Sequence, residues 1–518
     1  MADILTSILS HYGFSKEDYA AYAREPSFSS IPRLTGHKGV SEAKSILQSS
    51  IDKKEKILVY GDYDTDGIMA TSIMVRFIRS LGGSISFYIP SRYTDGYGIT
   101  LENAEKIAKS GYKLVILVDN GITLVDEVFY LKSKGIKVII IDHHEYNEVL
   151  PPADAIIHNE LSSYGDTPVS AGYLCFIFSL EFIEKDDYLL CLGATSILSD
   201  LMPIRSHNRE IVRLMLDILA RNPYPEFTRL TKKTTIDEKV MTMQIIPQIN
   251  AVGRLDEEHK ILRLVHYFAD NESKSKESIA AWMNEINERR KNLTQTAFDH
   301  LFINENEPAI IVMCSLPEGV NGLLANKLLA KYQKPIAVFS PSKSDPTCYV
   351  GSIRSLEGFD FMEAKRYLDP YIYKAGGHAL AGGMTIKKDQ YPQFKEAFLT
   401  FAASHPCIKK SKELIPIDYE DINFDTYEII KTLGPYGQGF PEPEFLIEQI
   451  PSASLQYTMN GGYMSRPINL EAKLFSYAIK KEDIDARCTY CDFSAVFVLN
   501  EYRGRKTLDL HCQLLKQY

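Results

Sequence analysis

Three apolar runs near the start of the chain each end in acid, and those acids are the residues whose types and spacing point to chemistry. The segments are VYGDYDTDG (59–67), ILVDNG (116–121) and VIIIDHHE (138–145). In an open α/β sheet the carboxyl ends of parallel strands converge on one crevice. Asp62, Asp64 and Asp66 alternate, so in an extended segment they share a face; Gly67 then turns the chain into a helix starting near Ile68. Asp62, Asp64, Asp66, Asp119 and Asp142 cannot all stay ionised side by side without a compensating cation. The pattern therefore predicts a metal. Carboxylates suit Mg²⁺ and Mn²⁺, and His143 and His144 beside them favour Mn²⁺, with Mg²⁺ the alternative. Two such ions bridged by one carboxylate would form a phosphoester-cleaving centre. Asp200, in TSILSDLMPI after an apolar run, is a further candidate ligand.

The elements that must position these acids are legible from periodicity. KILVY (56–60), SISFYI (84–89), KLVILV (113–118), IKVIII (136–141) and ADAIIH (153–158) read as strands buried on both faces. Helical patterns such as IMATSIMVRFIRSLG separate them, which predicts a doubly wound parallel sheet in a domain spanning 51–260. Residues 1–50 read as a helical and loop segment. The polar stretch 261–303 predicts a long connecting helix, and 304–402 a second, smaller α/β domain with strands PAIIVM and PIAVFS. Beyond a polar linker, 411–518 predicts a small β-barrel.

The 518-residue chain has a formal charge of −9, so any polyanionic substrate must be held by local cations or metals. Its eight cysteines show no structural-zinc spacing and read as reduced thiols. No run is long and apolar enough for a membrane span, and a cytoplasmic location is expected.

The motifs DYDTDG (62–67), VDNG (118–121), DHH (142–144) and SDLMP (199–203), in this order, resemble the DHH phosphoesterases, and within them the RecJ-type single-strand-specific exonucleases. The resemblance implies two divalent metals held by Asp64, Asp66, Asp119, His143 and Asp200, with Asp119 as the bridge. It implies that His144 contacts phosphate and that Asp62 is a ligand or a neighbour of one. Family branches that include the pyrophosphatases carry a ligand histidine where this chain has Tyr60. Further segments resemble the RecJ type: SRYTDGYGIT (91–100), INAVGRLDEE (249–258), GSIRS (351–355) and AGGHALAGGMTI (375–386). They imply a terminal-phosphate pocket at Arg92, Arg254, Ser352 and Arg354, and a phosphate contact at His378. Arginine forks match phosphate oxygens, and Gly376, Gly377, Gly382 and Gly383 would let backbone amides approach one.

LGPYGQGFPEPEF (433–445) and EYRGRKTLDLHCQLL (501–515) resemble the RecJ passage into and through an OB-fold domain. Residues 451–518 hold nine Lys/Arg, seven Asp/Glu and nine Phe/Tyr, with Tyr463, Tyr502 and Arg503 near turns as surface candidates. The resemblance implies a metal-dependent exonuclease that degrades single-stranded DNA from the 5′ end to mononucleotides in repair and recombination. It is expected to act as a monomer, with a single-strand-binding protein or helicase as candidate partner. The alternative is a DHH phosphodiesterase for short oligonucleotides or cyclic dinucleotides.

Overall fold

The computed structural model describes the chain except residues 1, 2, 94, 97, 256–258, 272–274, 409–411, 459–461 and 503, and the side chain of 502. It divides into two compact units, Phe28–Lys410 and Met1–Ser27 with Ser411–Tyr518.

In the larger unit the five apolar runs become β1 (Lys56–Tyr60), β2 (Ser84–Tyr88), β3 (Leu114–Val118), β4 (Lys137–Asp142) and β5 (Ala155–His158). All neighbours pair parallel, in the order β2-β1-β3-β4-β5. Every residue of β3 is buried, as a strand covered by helices on both faces requires. Strand order reverses at β1, so the crevice of this doubly wound sheet lies where β1 and β3 end, at Asp62 and Asp119.

The helices Leu262–Ala269 and Lys276–His300 follow. The longer one buries Ile279, Ala280, Met283, Asn287 and Thr294, a stripe at helical spacing on an otherwise polar rod. It leads to a mixed sheet, β6 (Ile310–Met313), β7 (Ile336–Pro341), β8 (Cys348–Arg354), β9 (Lys374–His378) and β10 (Ala381–Lys387), ordered β6-β7-β8-β10-β9. Alternation along β7 feeds two cores. Ala337 and Phe339 join Phe361, Phe394 and Phe398, while Ile336 and Val338 join Leu324 and Leu328.

The smaller unit holds β11 (Ile415–Pro416), β12 (Phe445–Pro451), β13 (Gln456–Tyr457), β14 (Met464–Pro467), β15 (Ala472–Ser476), β16 (Tyr490–Tyr502) and β17 (Arg505–Gln517). They form one seven-stranded, mainly antiparallel sheet. The N-terminal helices Ile4–His11 and Lys16–Tyr22 belong here: Tyr12 donates to the Pro441 carbonyl at 2.7 Å, and Tyr12, Phe14 and Tyr22 surround the Phe440 ring.

Candidate active site

The DYDTDG segment is not extended. Its helix begins at Thr65, with Asp64 as N-cap accepting from Gly67 N at 3.1 Å, so Asp66 already lies in the first turn. A cap that satisfies a first-turn N–H outweighs continuation of the strand. Gly67 sits inside that turn, where a Cβ would lie 2.5 Å from the Asp62 carbonyl oxygen. The glycine thus permits a close backbone approach rather than the turn itself.

Asp66 is buried, and its two oxygens accept Gly172 N at 2.7 Å and Ala171 N at 2.9 Å from the start of the helix Ala171–Ser179. Asp119 takes a left-handed φ of +60°, uncommon for a residue other than glycine. Beside it Asn120 ties the strand ends together, donating to the carbonyls of Val118 and Tyr60. The Tyr60 hydroxyl donates to the Gly98 carbonyl, so the residue standing at the pyrophosphatase ligand position is engaged elsewhere.

His143 Nε2 lies 3.3 Å from Asp119, 3.4 Å from Asp200 and 3.6 Å from Asp66. That nitrogen is buried and has no hydrogen-bond partner among the described residues. Burial, then the neighbouring His144 charge, pushes its pKa down to about 3, leaving a neutral imidazole suited to a metal. Three groups of mutually close donors share these residues: Asp62, Asp64 and Asp119; Asp66, His143 and Asp200; Asp119, His143 and His144. Burial and the mutual charges push Asp62 up to about 8, Asp66 to about 7 and Asp200 to about 8, and Asp119 well above the usual range. A buried neutral imidazole facing converging carboxylates is what a divalent cation would require, and the donor set fits one.

Asp142 does not join this set, contrary to the expected five-acid cluster. Its oxygens accept the backbone amides of Ile122, His143 and His144 and the His144 Nδ1–H at 2.8 Å. Burial alone would raise its pKa, but the His144 bond and charge hold it at about 2. In return His144 rises to about 9 against its own burial. Its half-exposed ring therefore carries a positive charge at neutral pH beside the acids.

Basic groups gather next to this centre. The Arg92 guanidinium covers the Tyr63 ring at 4.2 Å, between Asp62 and Asp64 in sequence. Arg254 Nη1 donates to the Gly319 carbonyl at 3.0 Å. Burial and then the charges of Arg92 and Arg290 pull Arg254 down to about 10, with Arg354 contributing. Ser352 and Arg354 lie along β8 against the helix Asn321–Tyr332, where a Cβ on Gly322 would come within 2.8 Å of the Arg354 guanidinium. Of the expected pocket residues, Arg92 and Arg354 thus lie near enough to act on the charge of Arg254, and Ser352 shares with Arg354 the space beside Gly322. Arg290, on the long helix with its guanidinium held by Asn287, was not legible as a member. Its only signal is its place three residues beyond Asn287 on the buried stripe.

His378 lies at the β9–β10 hairpin, 3.7 Å from Glu145, which directly follows the DHH motif. Of the glycines, Gly376 and Gly383 pair across β9 and β10; a side chain would meet open space at Gly376 and ordinary contact with the Gly351 carbonyl at Gly383. Gly377 has φ +147°, and a Cβ there would strike Ala381. Gly382 differs from expectation: its missing side chain makes room for the Phe361 ring, a packing role.

Similarity to known proteins agrees with this geometry and is decisive. The N-terminal domain of the DHH family matches residues 56–202, the DHHA1 domain 306–404 and the RecJ OB domain 415–513. The chain belongs to the DHH family, with the RecJ domain set. The single-stranded-DNA-specific exonuclease RecJ of Bacillus subtilis is 30% identical over 432 residues, covering 79% of this chain and 54% of that protein. The chain thus spans about half the length of that relative. RecJ of Haemophilus influenzae is 29% identical over 529 residues, covering 91% and 89% of the two chains. The crystal structure of RecJ from Thermus thermophilus with Mn²⁺ shares the fold, with a TM-score of 0.84 at 23% identity over 99% of this chain and 76% of that one. Among the described residues no helix is long and apolar enough to cross a membrane.

Proposed function

We propose that this DHH-family protein is a metal-dependent exonuclease that degrades single-stranded DNA from its 5′ end and releases 5′-mononucleotides. The observation that carries this reading is the Arg92 guanidinium over the Tyr63 ring, between Asp62 and Asp64, together with the buried Arg254 that feels the charges of Arg92, Arg290 and Arg354. A buried guanidinium facing further cations, as Arg254 does, calls for an anion. A terminal phosphate held there, so near the acids, confines cleavage to a chain end. The relatives' activity on single-stranded DNA and the family resemblance supply substrate and direction.

Asp64, Asp66, Asp119, His143 and Asp200 would hold two divalent cations, Mn²⁺ or Mg²⁺ as in the Thermus RecJ structures, with Asp119 common to two of the donor groups. Such ions supply Lewis acidity and charge neutralisation at the scissile phosphate. The protein's own groups complete the environment. His144, kept cationic by Asp142, stabilises developing negative charge on phosphate oxygens, and His378 approaches from the second sheet. Asp62, grouped with Asp64 and Asp119, is a further ligand or the neighbour of one.

In the smaller unit, Phe475 packs against Tyr463, Tyr477 and His511, with the Lys473 ammonium 5.3 Å above its ring. Tyr477 is 67% exposed and Tyr463 38%. We assign this patch as a base-stacking platform for single strands. Arg503 and the Tyr502 side chain lie outside the described residues. The domain reading that goes with it is catalysis in 51–260, a connecting segment at 261–303, substrate contacts from 304–402 and strand binding by 411–518. A cytoplasmic monomer working beside a single-strand-binding protein or helicase suits such an enzyme. The presence of an OB domain disfavours short oligonucleotides or cyclic dinucleotides as substrates.

The test is digestion of one long oligonucleotide labelled at either end, single-stranded or annealed, with Mn²⁺, Mg²⁺ or chelator. Metal-dependent mononucleotide release from the 5′ end of the single strand supports the reading. Turnover of dinucleotides alone would overturn it.

A further inference from the structure

His158 ends β5 directly opposite Asp142 at the end of β4. It is 2% exposed and lies outside every group of potential metal donors among the described residues. Its two ring nitrogens have separate tasks. Nδ1 accepts the backbone N–H of Glu160 at 3.2 Å, so the proton must sit on Nε2. Nε2 is 2.9 Å from the carbonyl oxygen of His144 and donates to it. The ring is further fixed edge-on to Tyr146 at 5.3 Å, and the His158 backbone N–H donates to Ser162 Oγ.

His144 is therefore clamped at two points from adjacent strands. Asp142 holds the side chain through Nδ1, and His158 holds the backbone through the carbonyl. The residue between Asp142 and His144 in the chain, His143, has no hydrogen bond from its Nε2 and depends on the backbone around it for its aim at Asp66, Asp119 and Asp200. We propose that His158 is a positioning residue of the active site, acting through the His144 peptide to set the aim of both histidines of the DHH motif. The inference rests on the metal-dependent reading above.

The experiment compares His158→Leu, which fills the space but cannot donate, with His158→Gln, whose amide nitrogen reaches the position of Nε2. Mn²⁺ affinity is measured directly from free Mn²⁺ by electron paramagnetic resonance, alongside kcat and KM on an end-labelled single strand. His158→Leu should weaken Mn²⁺ binding and lower kcat by about tenfold or more, the scale expected for groups that orient metal ligands. KM for the strand should stay put, because the phosphate pocket is untouched. His158→Gln should recover most of both losses. Parent-like Mn²⁺ affinity in the leucine variant would overturn the inference, as would a glutamine variant as impaired as the leucine one. Mn²⁺ affinity is read without turnover, so a parent protein that failed to digest strands would sink the exonuclease reading and still leave the role of His158 decided.

Discussion

Asn250 Oδ1 accepts both the backbone N–H and the hydroxyl of Thr65, each at 2.9 Å. The helix Ile246–Leu255 is thereby fastened to the first turn after Asp64, and Arg254, one turn further along that helix, is carried to the mouth of the acid centre. The helix that bears Arg254 and the turn that bears Asp64 and Asp66 are thus fastened to one another.

Gly253 makes that contact possible, since a Cβ there would lie 2.2 Å from the Tyr63 carbonyl oxygen. Gly253→Ala should cost about 1–3 kcal/mol, the usual range for forced overpacking. It should also lower turnover, by pushing Tyr63 and the flanking Asp62 and Asp64. Thermal denaturation and turnover of the variant check this; unchanged turnover would mean that the helix and the loop are independent.

Asp119→Asn keeps a side chain that tolerates the left-handed conformation, whereas alanine there would add roughly 1–2 kcal/mol of backbone strain. Losing the shared ligand should reduce turnover by more than about a hundredfold, several kcal/mol of transition-state stabilisation. The metal-free variant should melt no lower than the parent, because a carboxylate crowded by Asp66, Asp64, Asp62 and Asp200 has been removed. Wild-type-like turnover would move the site elsewhere.

The acid centre predicts a pH dependence of definite sign. Asp62 and Asp200 titrate near 8 and Asp66 near 7 in the folded chain, against 3.8 unfolded. The folded metal-free protein thus binds more protons, so the stability these groups contribute is complete below about pH 4 and is lost as pH rises through about 7–8. Divalent cations must displace the same protons, so their affinity should rise over that interval. The Mn²⁺-induced increase in melting temperature should be larger at about pH 8.5 than at about pH 6. An equal increase at both would show that these carboxyl groups are already ionised.

Arg290→Ala and Arg354→Ala should each reduce the preference for 5′-phosphorylated over unphosphorylated ends by roughly ten- to a hundredfold, the worth of about 1.5–3 kcal/mol for a hydrogen bond to a charged group. Competition between the two substrates reads the ratio. Equal loss on both ends would make these arginines general strand contacts.

Tyr477→Ala should weaken binding of a long single strand by about 1–3 kcal/mol, as for loss of one stacked base. If the patch serves strand binding alone, turnover of a short oligonucleotide should not change. Fluorescence anisotropy against strand length separates the two effects.

Much of this protein was legible in the sequence because the signals are local. Apolar runs such as LVILV specify a doubly covered strand by composition alone, and acids at three strand ends must meet once the strands lie parallel. Tertiary structure decided how each polar atom is used. Asp142 looks like any other motif acid, yet backbone amides and His144 consume its lone pairs. Asp66 reaches the centre from a helix turn rather than along an extended strand. Arg92, Arg290 and Arg354 act on the charge of Arg254 across long intervals of chain that no periodicity records. His158 reads as the last residue of a strand, and only the folded chain brings its Nε2–H to the His144 carbonyl. Local propensity specifies the elements; which donors and acceptors remain for a metal or a phosphate depends on partners distant in the chain.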